Sequence, residues 1–475
     1  MSGARQLVRS DPALDPPRGF YREAVRSAEE AARCDLSVRS KCPLACGRPT
    51  GQTSAVTTPT RFTLITAARL LDGSGAAPVE QAALLIDGDR VAGLGRASDV
   101  HVPDGAPVER RDYGAATILP GLVDAHTHLV APGDGTLGDD VAKEDDDILL
   151  LQAAKNARTL LHSGVTTLRE NGAKGKVAFS LREGIRRQLA PGPRMVICGR
   201  PIAMTGGHMG YFGSEADGET AVRAEVRKLL KEGADYIKIV ASGGSTRTSD
   251  PNRASYTVAE LAAMTDEAHR AGKLTAAHCT SAQSVQNCLD ADVDMIIHCI
   301  FSEPDGTYRF RPDLVARLAS ARAWVNPTLY VMKAAIERQR EVRAGEGRLT
   351  AELVAQLDLA RRALDVRVDA VRRMSEAGVR MTAGSDSPWG WYAPGEFVHE
   401  IHMLAQAGLS HADAIVAGTA GAAESIGVGS AAGRLATGRQ ADALVVRGDP
   451  TREITALWDV LDVYQAGRRV ERGVK

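Results

Sequence analysis

Aromatic residues make up only 4% of the 475-residue chain, so its core must be built from Ala, Leu, Val and Ile rather than around packed rings. Net charge is equally scarce: 58 Lys and Arg against 59 Asp and Glu leave −1. The two signs are interspersed, which excludes the electrostatic footprint of a nucleic-acid partner or an anionic membrane surface. No stretch approaches the ~18 consecutive apolar residues of a bilayer span. The N-terminus lacks the apolar core of a secretory signal. Seven cysteines, an odd number at irregular spacing, do not make a disulfide framework. Cys34, Cys42 and Cys46 sit loosely together, but not at zinc-finger spacing. The expected compartment is the reducing cytoplasm, with neither nucleic acid nor membrane as partner.

With 44% apolar residues, the chain can bury a large core. Residues 1–60, rich in Arg, Ser, Pro, Thr and Gly with weak periodicity, read as a flexible extension containing at most a short helix over Ser27–Cys34. The character changes near Arg61. Over 61–117, FTLITAARLLDG, AALLIDGDRVAGLG and VERRDYGAATILPG are short β-like runs separated by turn pairs such as Asp87-Gly88. A similar pattern returns over 428–475 in ADALVVRGD and VLDVYQAGRRV. These two ends predict one small β-sandwich made from both. Between them, 118–427 alternates helical stretches with eight apolar runs: Leu122–His128, Thr166–Asn171, Met195–Arg200, Tyr236–Ser242, Leu274–Cys279, Met295–Ile300, Trp324–Leu329 and Arg380–Asp386. Eight βα units predict an α/β protein with a (β/α)8 TIM barrel, whose chemistry belongs at the C-terminal strand ends.

Strand ends therefore decide the function. The first run closes on His126 and His128 in ILPGLVDAHTHL, where alternation aims both imidazoles the same way. His278 ends TAAHC, His298 ends IIHC, Lys238 lies in YIKIVASGG and Asp386 in TAGSDSP. A lone histidine of this kind is more often a satisfied core residue. A lysine between Ile237 and Ile239 requires either a buried carboxylate partner or conversion of its amine to a carbamate. Collecting all six at one barrel mouth favours a metal centre. Zn2+ suits imidazole and carboxylate ligands, and two zinc ions bridged by a carboxylated Lys238 would activate a shared water. Asp386 would orient that water, take its proton and pass it to the leaving amine.

The motifs PGLVDAHTHL, SGVTTLRE, TGGHMGYFGSEADG, GADYIKIVASGG, AAHC, IIHC, NPTL, TAGSD and GRLATGRQADALVV resemble those of the amidohydrolase superfamily. Within it they resemble imidazolonepropionase-related and Xaa-Pro dipeptidase-like (prolidase-like) enzymes, over about residues 62–470. The resemblance implies His126 and His128 on the more buried metal, Lys238 as bridging carbamate, His278 and His298 on the second metal, and Asp386 as ligand and base. It also makes a homo-oligomer the expected assembly. Mononuclear deaminases of the superfamily lack the bridging lysine, so Lys238 argues against deamination. Ser385 stands where the family often has Thr.

For substrate contacts, the sequence nominates His208 (also as a catalytic group), Arg169, Ser242, Arg247 and Tyr330, all in runs or loops after strand ends. The amides of Ser242, Gly243 and Gly244 could hold a carboxylate, and Trp389, Trp391 and Tyr392 could form an apolar wall. The expected partner is a small amide: a dipeptide or N-acyl amino acid first, a cyclic amide such as imidazolonepropionate second, a lactone or ester by the same site third. A non-catalytic homologue would have shed ligands, and here all six positions are filled. The acidic GDGTLGDD and KEDDD read as a solvated loop, not a calcium site.

Overall fold

A computed structural model describes residues 62–472. The expected extension, the Ser27–Cys34 helix and the Cys34–Cys42–Cys46 cluster lie outside the described residues.

The β-like runs form strands β1 (Phe62–Leu70), β2 (Val79–Asp87), β3 (Arg90–Arg96), β4 (Val108–Asp112) and β5 (Thr117–Pro120). Gly88, at φ 57°, turns the chain between β2 and β3 in a left-handed conformation that a side chain would disfavour. Later in the chain come β13 (Ala443–Val446), β14 (Val460–Gln465) and β15 (Arg468–Arg469). The two ends do share a structure, but it is one hydrogen-bonded sheet of eight strands, in the order β15-β14-β13-β5-β1-β2-β3 with β4 beside β1. β5 runs parallel to β1 on one edge and antiparallel to β13 on the other, and an Arg90–Gln440 bridge ties β3 to the segment before β13. Ile65, Leu84, Ile86, Ile118, Val445 and Tyr464 bury a common apolar cluster in this sheet.

The middle of the chain supplies seven parallel strands: β6 (Leu122–Thr127), β7 (Val165–Glu170), β8 (Arg194–Ile197), β9 (Ile237–Val240), β10 (Thr275–His278), β11 (Met295–Ile297) and β12 (Trp324–Asn326). They pair as β6-β7-β8 and β9-β10-β11-β12, and an Ile202–Ile239 bridge links the two groups. The eighth run, Arg380–Asp386, is not a regular strand. It is nonetheless held by backbone bonds on both sides, Thr382 N–H to Val325 C=O (2.9 Å) and Asp386 N–H to His126 C=O (2.7 Å). Its ladder is interrupted because the Asn326 amide donates to Gly384 C=O (3.0 Å) and Asp386 turns left-handed at φ 65°. The arrangement is α/β and TIM-barrel-like.

Helices fall where the sequence has amphipathic stretches, including Asp146–His162, Glu219–Glu232 and Ala351–Glu376. The first buries Leu149, Ala153, Ala157, Leu160 and Leu161 in the main core. Gly233, at φ 100°, closes the second as a left-handed C-cap. Among the described residues no helix is long and apolar enough to cross a membrane.

Candidate active site

Alternation along β6 puts His126 and His128 on one face, and their Nε2 atoms stand 3.2 Å apart. Each ring is oriented through its other nitrogen. His126 Nδ1 meets Asn326 Oδ1 at 3.0 Å, and His128 Nδ1 meets Gly172 C=O at 3.2 Å. Both partners accept, so both rings carry their proton on Nδ1 and turn an Nε2 lone pair toward the cavity. Asp386 Oδ1 lies 3.3 Å from His126 Nε2 and 3.4 Å from His128 Nε2. Gly384 is small of necessity: a Cβ there would come within 2.8 Å of Asn326 and His126.

The other strand ends deliver their groups to the same place. His278 donates from Nε2 to Gly243 C=O at 3.0 Å, which frees Nδ1. His298 pairs through Nδ1 with Thr328 Oγ1 at 2.6 Å, and Thr328 passes its own proton to Pro327 C=O at 2.7 Å. The His278 and His298 rings are 4.6 Å apart by centroid, and His298 is 5.6 Å from His126. Lys238 and His208 join these five groups in lining one cavity of about 470 Å³. His298, Thr328 and Asp386 all adopt positive φ (64°, 51° and 65°). Non-glycine residues in such conformations cost about 1–3 kcal/mol each and persist where the surroundings over-determine them.

Burial sets the charge state. It holds His126, His278 and His298 well below the usual histidine range and His128 down at about 3, so all four are neutral. Burial also lowers the Lys238 amine, which no described residue hydrogen-bonds, and raises the Asp386 carboxyl. Two proton-free ring nitrogens and a carboxyl oxygen converge on one point, a donor set that a cation can bind. His126, His128 and Asp386 have ligand atoms all within 4.8 Å of one another. The residues present fit a metal, and the imidazole–carboxylate donor set suits Zn2+.

Of the nominated substrate side chains His208, Arg169, Ser242, Arg247 and Tyr330, His208 stands in the cavity wall, its Nδ1 2.8 Å from Thr246 Oγ1, and Gly244 lies beside it. Arg169 is displaced from its expected role: it is buried, donates from Nε to Ala125 C=O (2.9 Å) and lies over the Tyr236 ring, because its position on β7 faces the interior. Ser242 Oγ is engaged with Thr280 Oγ1 (2.8 Å). The loop amides are also occupied, Gly243 N–H by Arg253 C=O and Gly244 N–H by Ser249 Oγ. Arg247 pairs with Asp140 at 2.9 Å on the surface. Tyr330 stacks on His399, with ring centroids 4.5 Å apart. Trp389 does line the cavity, whereas Tyr392 is buried and donates to Glu396 C=O.

Sequence reasoning missed the orienting layer: Asn326, Thr328 and Asp124. Asp124 is fully buried and accepts from Ser385 N–H (2.8 Å), Ser385 Oγ–H (2.6 Å) and His126 N–H (3.1 Å), tying the two strand ends together. Burial raises its carboxyl to about 7 against those bonds. The only signal was indirect, polar residues inside otherwise apolar motifs (DAHTH, NPTL). Replacing such a partner has a defined consequence. Asn326→Ala is expected to weaken metal binding about ten- to hundredfold while the fold survives, measured by chelator competition with a circular-dichroism control.

The family model for the amidohydrolase family matches residues 117–470. Over 453 residues the chain is 25% identical to an ochratoxinase from Aspergillus niger, covering 87% of this chain and 88% of that protein. It is 31% identical over 121 residues to an imidazolonepropionase from Paracoccus denitrificans, covering 20% of this chain and 30% of that one. Among solved structures, a Xaa-Pro dipeptidase with bound methionine in its active site superposes with a TM-score of 0.73 at 25% identity, covering 86% of this chain and all of that one (100%). With the match running from β5 through β15 and taking in every residue of the cavity wall, the chain belongs to the amidohydrolase family of hydrolases.

Proposed function

We propose that the protein hydrolyses the C–N bond of a small amide with two zinc ions in this cavity. His126 and His128 would hold one ion, His278 and His298 the other, a carboxylated Lys238 would bridge them, and Asp386 would complete the set. The observation that carries this is the convergence of four neutral imidazoles, one carboxyl and an unpaired buried amine on one cavity. Bound zinc supplies polarisation of the scissile carbonyl and a water acidic enough to ionise near neutral pH. The chain supplies the rest. Asp386 accepts the proton of the attacking water at its carboxylate and returns it to the departing nitrogen. His208, neutral because burial lowers it to about 3, offers its Nε2 to the substrate.

A dipeptide or N-acyl amino acid is the first substrate type, supported by the likeness to a Xaa-Pro dipeptidase. The partial match to an imidazolonepropionase keeps a cyclic amide as the second. The fold reading behind this is a full (β/α)8 barrel, with the 380–387 segment as its eighth stave between β12 and β6; bonds to both neighbours support it. Metal analysis and a screen of dipeptides, N-acyl amino acids and cyclic amides with zinc supplied test the proposal. About two ions per chain and turnover of at least one class are expected; metal near zero with no turnover would point to a non-catalytic binding protein.

A further inference from the structure

Resting on that reading of the site, we infer the character of the substrate: on one side of its scissile bond it carries an uncharged apolar group, aryl or branched alkyl, seated against Met209, Ile300, Val331, Met332 and Trp389. These five side chains form the apolar part of the cavity wall outside the metal-ligand set, which His208, Gly244, Ser245, Pro251 and Thr280 complete.

Charge is the first argument. Among the described residues of the wall, Lys238 is the only Lys or Arg, and it belongs to the ligand set. The arginines that could have met a substrate carboxylate are engaged elsewhere, Arg247 on Asp140 and Arg169 on Ala125 C=O. The remaining polar groups are neutral, and Thr280 Oγ1 is already within bonding distance of Ser242 Oγ (2.8 Å), Gly243 C=O (3.1 Å) and Pro251 C=O (2.6 Å). A carboxylate pressed against this wall would lose water and meet no cation outside the ligand set, with the neutral Ser245 hydroxyl as its one uncommitted side-chain hydroxyl donor, an incompletely compensated cost.

Rigidity is the second. Val331 and Met332 stand in the first turn of the helix Leu329–Gly345. That helix start is fixed by Glu400, completely buried, whose two oxygens accept from Leu329 N–H (2.9 Å) and Tyr330 N–H (2.7 Å). Trp389 lies against His128, with ring centroids 5.0 Å apart, and a Cβ on Gly138 would come within 2.5 Å of its indole. The indole is thereby held between a metal ligand and the loop after β6. Met209 and Met332 adapt to varied apolar shapes within that frame. A preorganised apolar wall around a few fixed polar groups is what selects a ligand by apolar bulk.

Two matched series of amides test this on the zinc-loaded protein. One lengthens the acyl group on a fixed amine, from acetyl through butanoyl and hexanoyl to benzoyl; the other lengthens the amine on a fixed acetyl group. Turnover is read as kcat/KM, and binding is read separately by calorimetry. In one of the series kcat/KM is expected to rise about fourfold per buried methylene. An N-succinyl amide is expected to fall well below its N-pentanoyl counterpart, or the acidic amine below its alkyl match. Met332→Asp should flatten the slope with metal content unchanged. Flat responses in both series, or preference for the acidic members, would overturn the inference. If no amide turns over although zinc is bound, the hydrolase reading fails; the calorimetric slope against apolar length then still decides the inference, steep in its favour and flat against it.

Discussion

Lys238→Ala is expected to abolish amide hydrolysis and to strip the metal from the purified protein. The buried amine has no hydrogen-bond partner among the described residues, and burial disfavours its charged form. As a plain lysine it carries a desolvation cost that the nearby Asp386 carboxyl offsets only in part, and removing it relieves that cost while giving up the packing of its buried stem. The relieved charge burial and the lost packing oppose one another, so the alanine variant should melt close to wild type when both are metal-free. With zinc added, only wild type should gain stability, because only wild type retains a bridge that binds the native state. Short carboxylic acids such as propionate, able to enter the space left by the side chain, should restore part of the activity. Full activity without added acid would refute the carbamate and leave His126 and His128 holding a single metal, which returns the deaminase-like alternative.

Asp386→Asn is expected to lower kcat about 10²–10⁴-fold, the range for losing a positioned general base. The amide has nearly the size of the carboxyl and, like Asp, tolerates the left-handed backbone that Asp386 adopts at φ 65°. The four imidazoles and Lys238 are untouched, so metal content should stay near normal. KM should change little, since the substituted atom acts on the proton rather than on the substrate's body. Asparagine cannot take up the water proton, so added small bases are a further check. An unchanged kcat would remove Asp386 as the base.

The six side chains that converge on the cavity were legible in the sequence through two local rules, the two-residue alternation of strands and the placing of chemistry at the strand ends of βα units. His126 and His128 follow from the first; His278, His298, Lys238 and Asp386 follow from the second. Arg169, Ser242, Arg247 and Tyr330, unlike His208, do not reach the cavity wall, for a matching reason. Arg169 lies on a strand like the ligands, but it faces the barrel interior, and position along a run does not reveal which face a long side chain takes. Arg247 and Tyr330 are satisfied by partners distant in sequence, Asp140 and His399. Asn326, Thr328 and Asp124 were invisible for the converse reason: an orienting residue is defined by what it touches. In the small sheet, strand positions were readable from alternation and turns. Its continuous pairing was not, because β5 joins β1 to β13 across more than 300 intervening residues.

That joining strand also governs the order of events as the chain is made. β5 emerges early, and one edge can pair with β1 at once. Its other edge belongs to β13, near the end of the polypeptide, so it stays open until almost the whole chain has left the ribosome. The Arg194 bonds to Asp442 (3.0 Å) and Gln440 (2.5 Å), which fasten barrel to sheet, wait on the same late segment. Nascent chains ending before Ala443 therefore carry an unprotected β edge beside a largely formed barrel, and aggregation should concentrate in that length window.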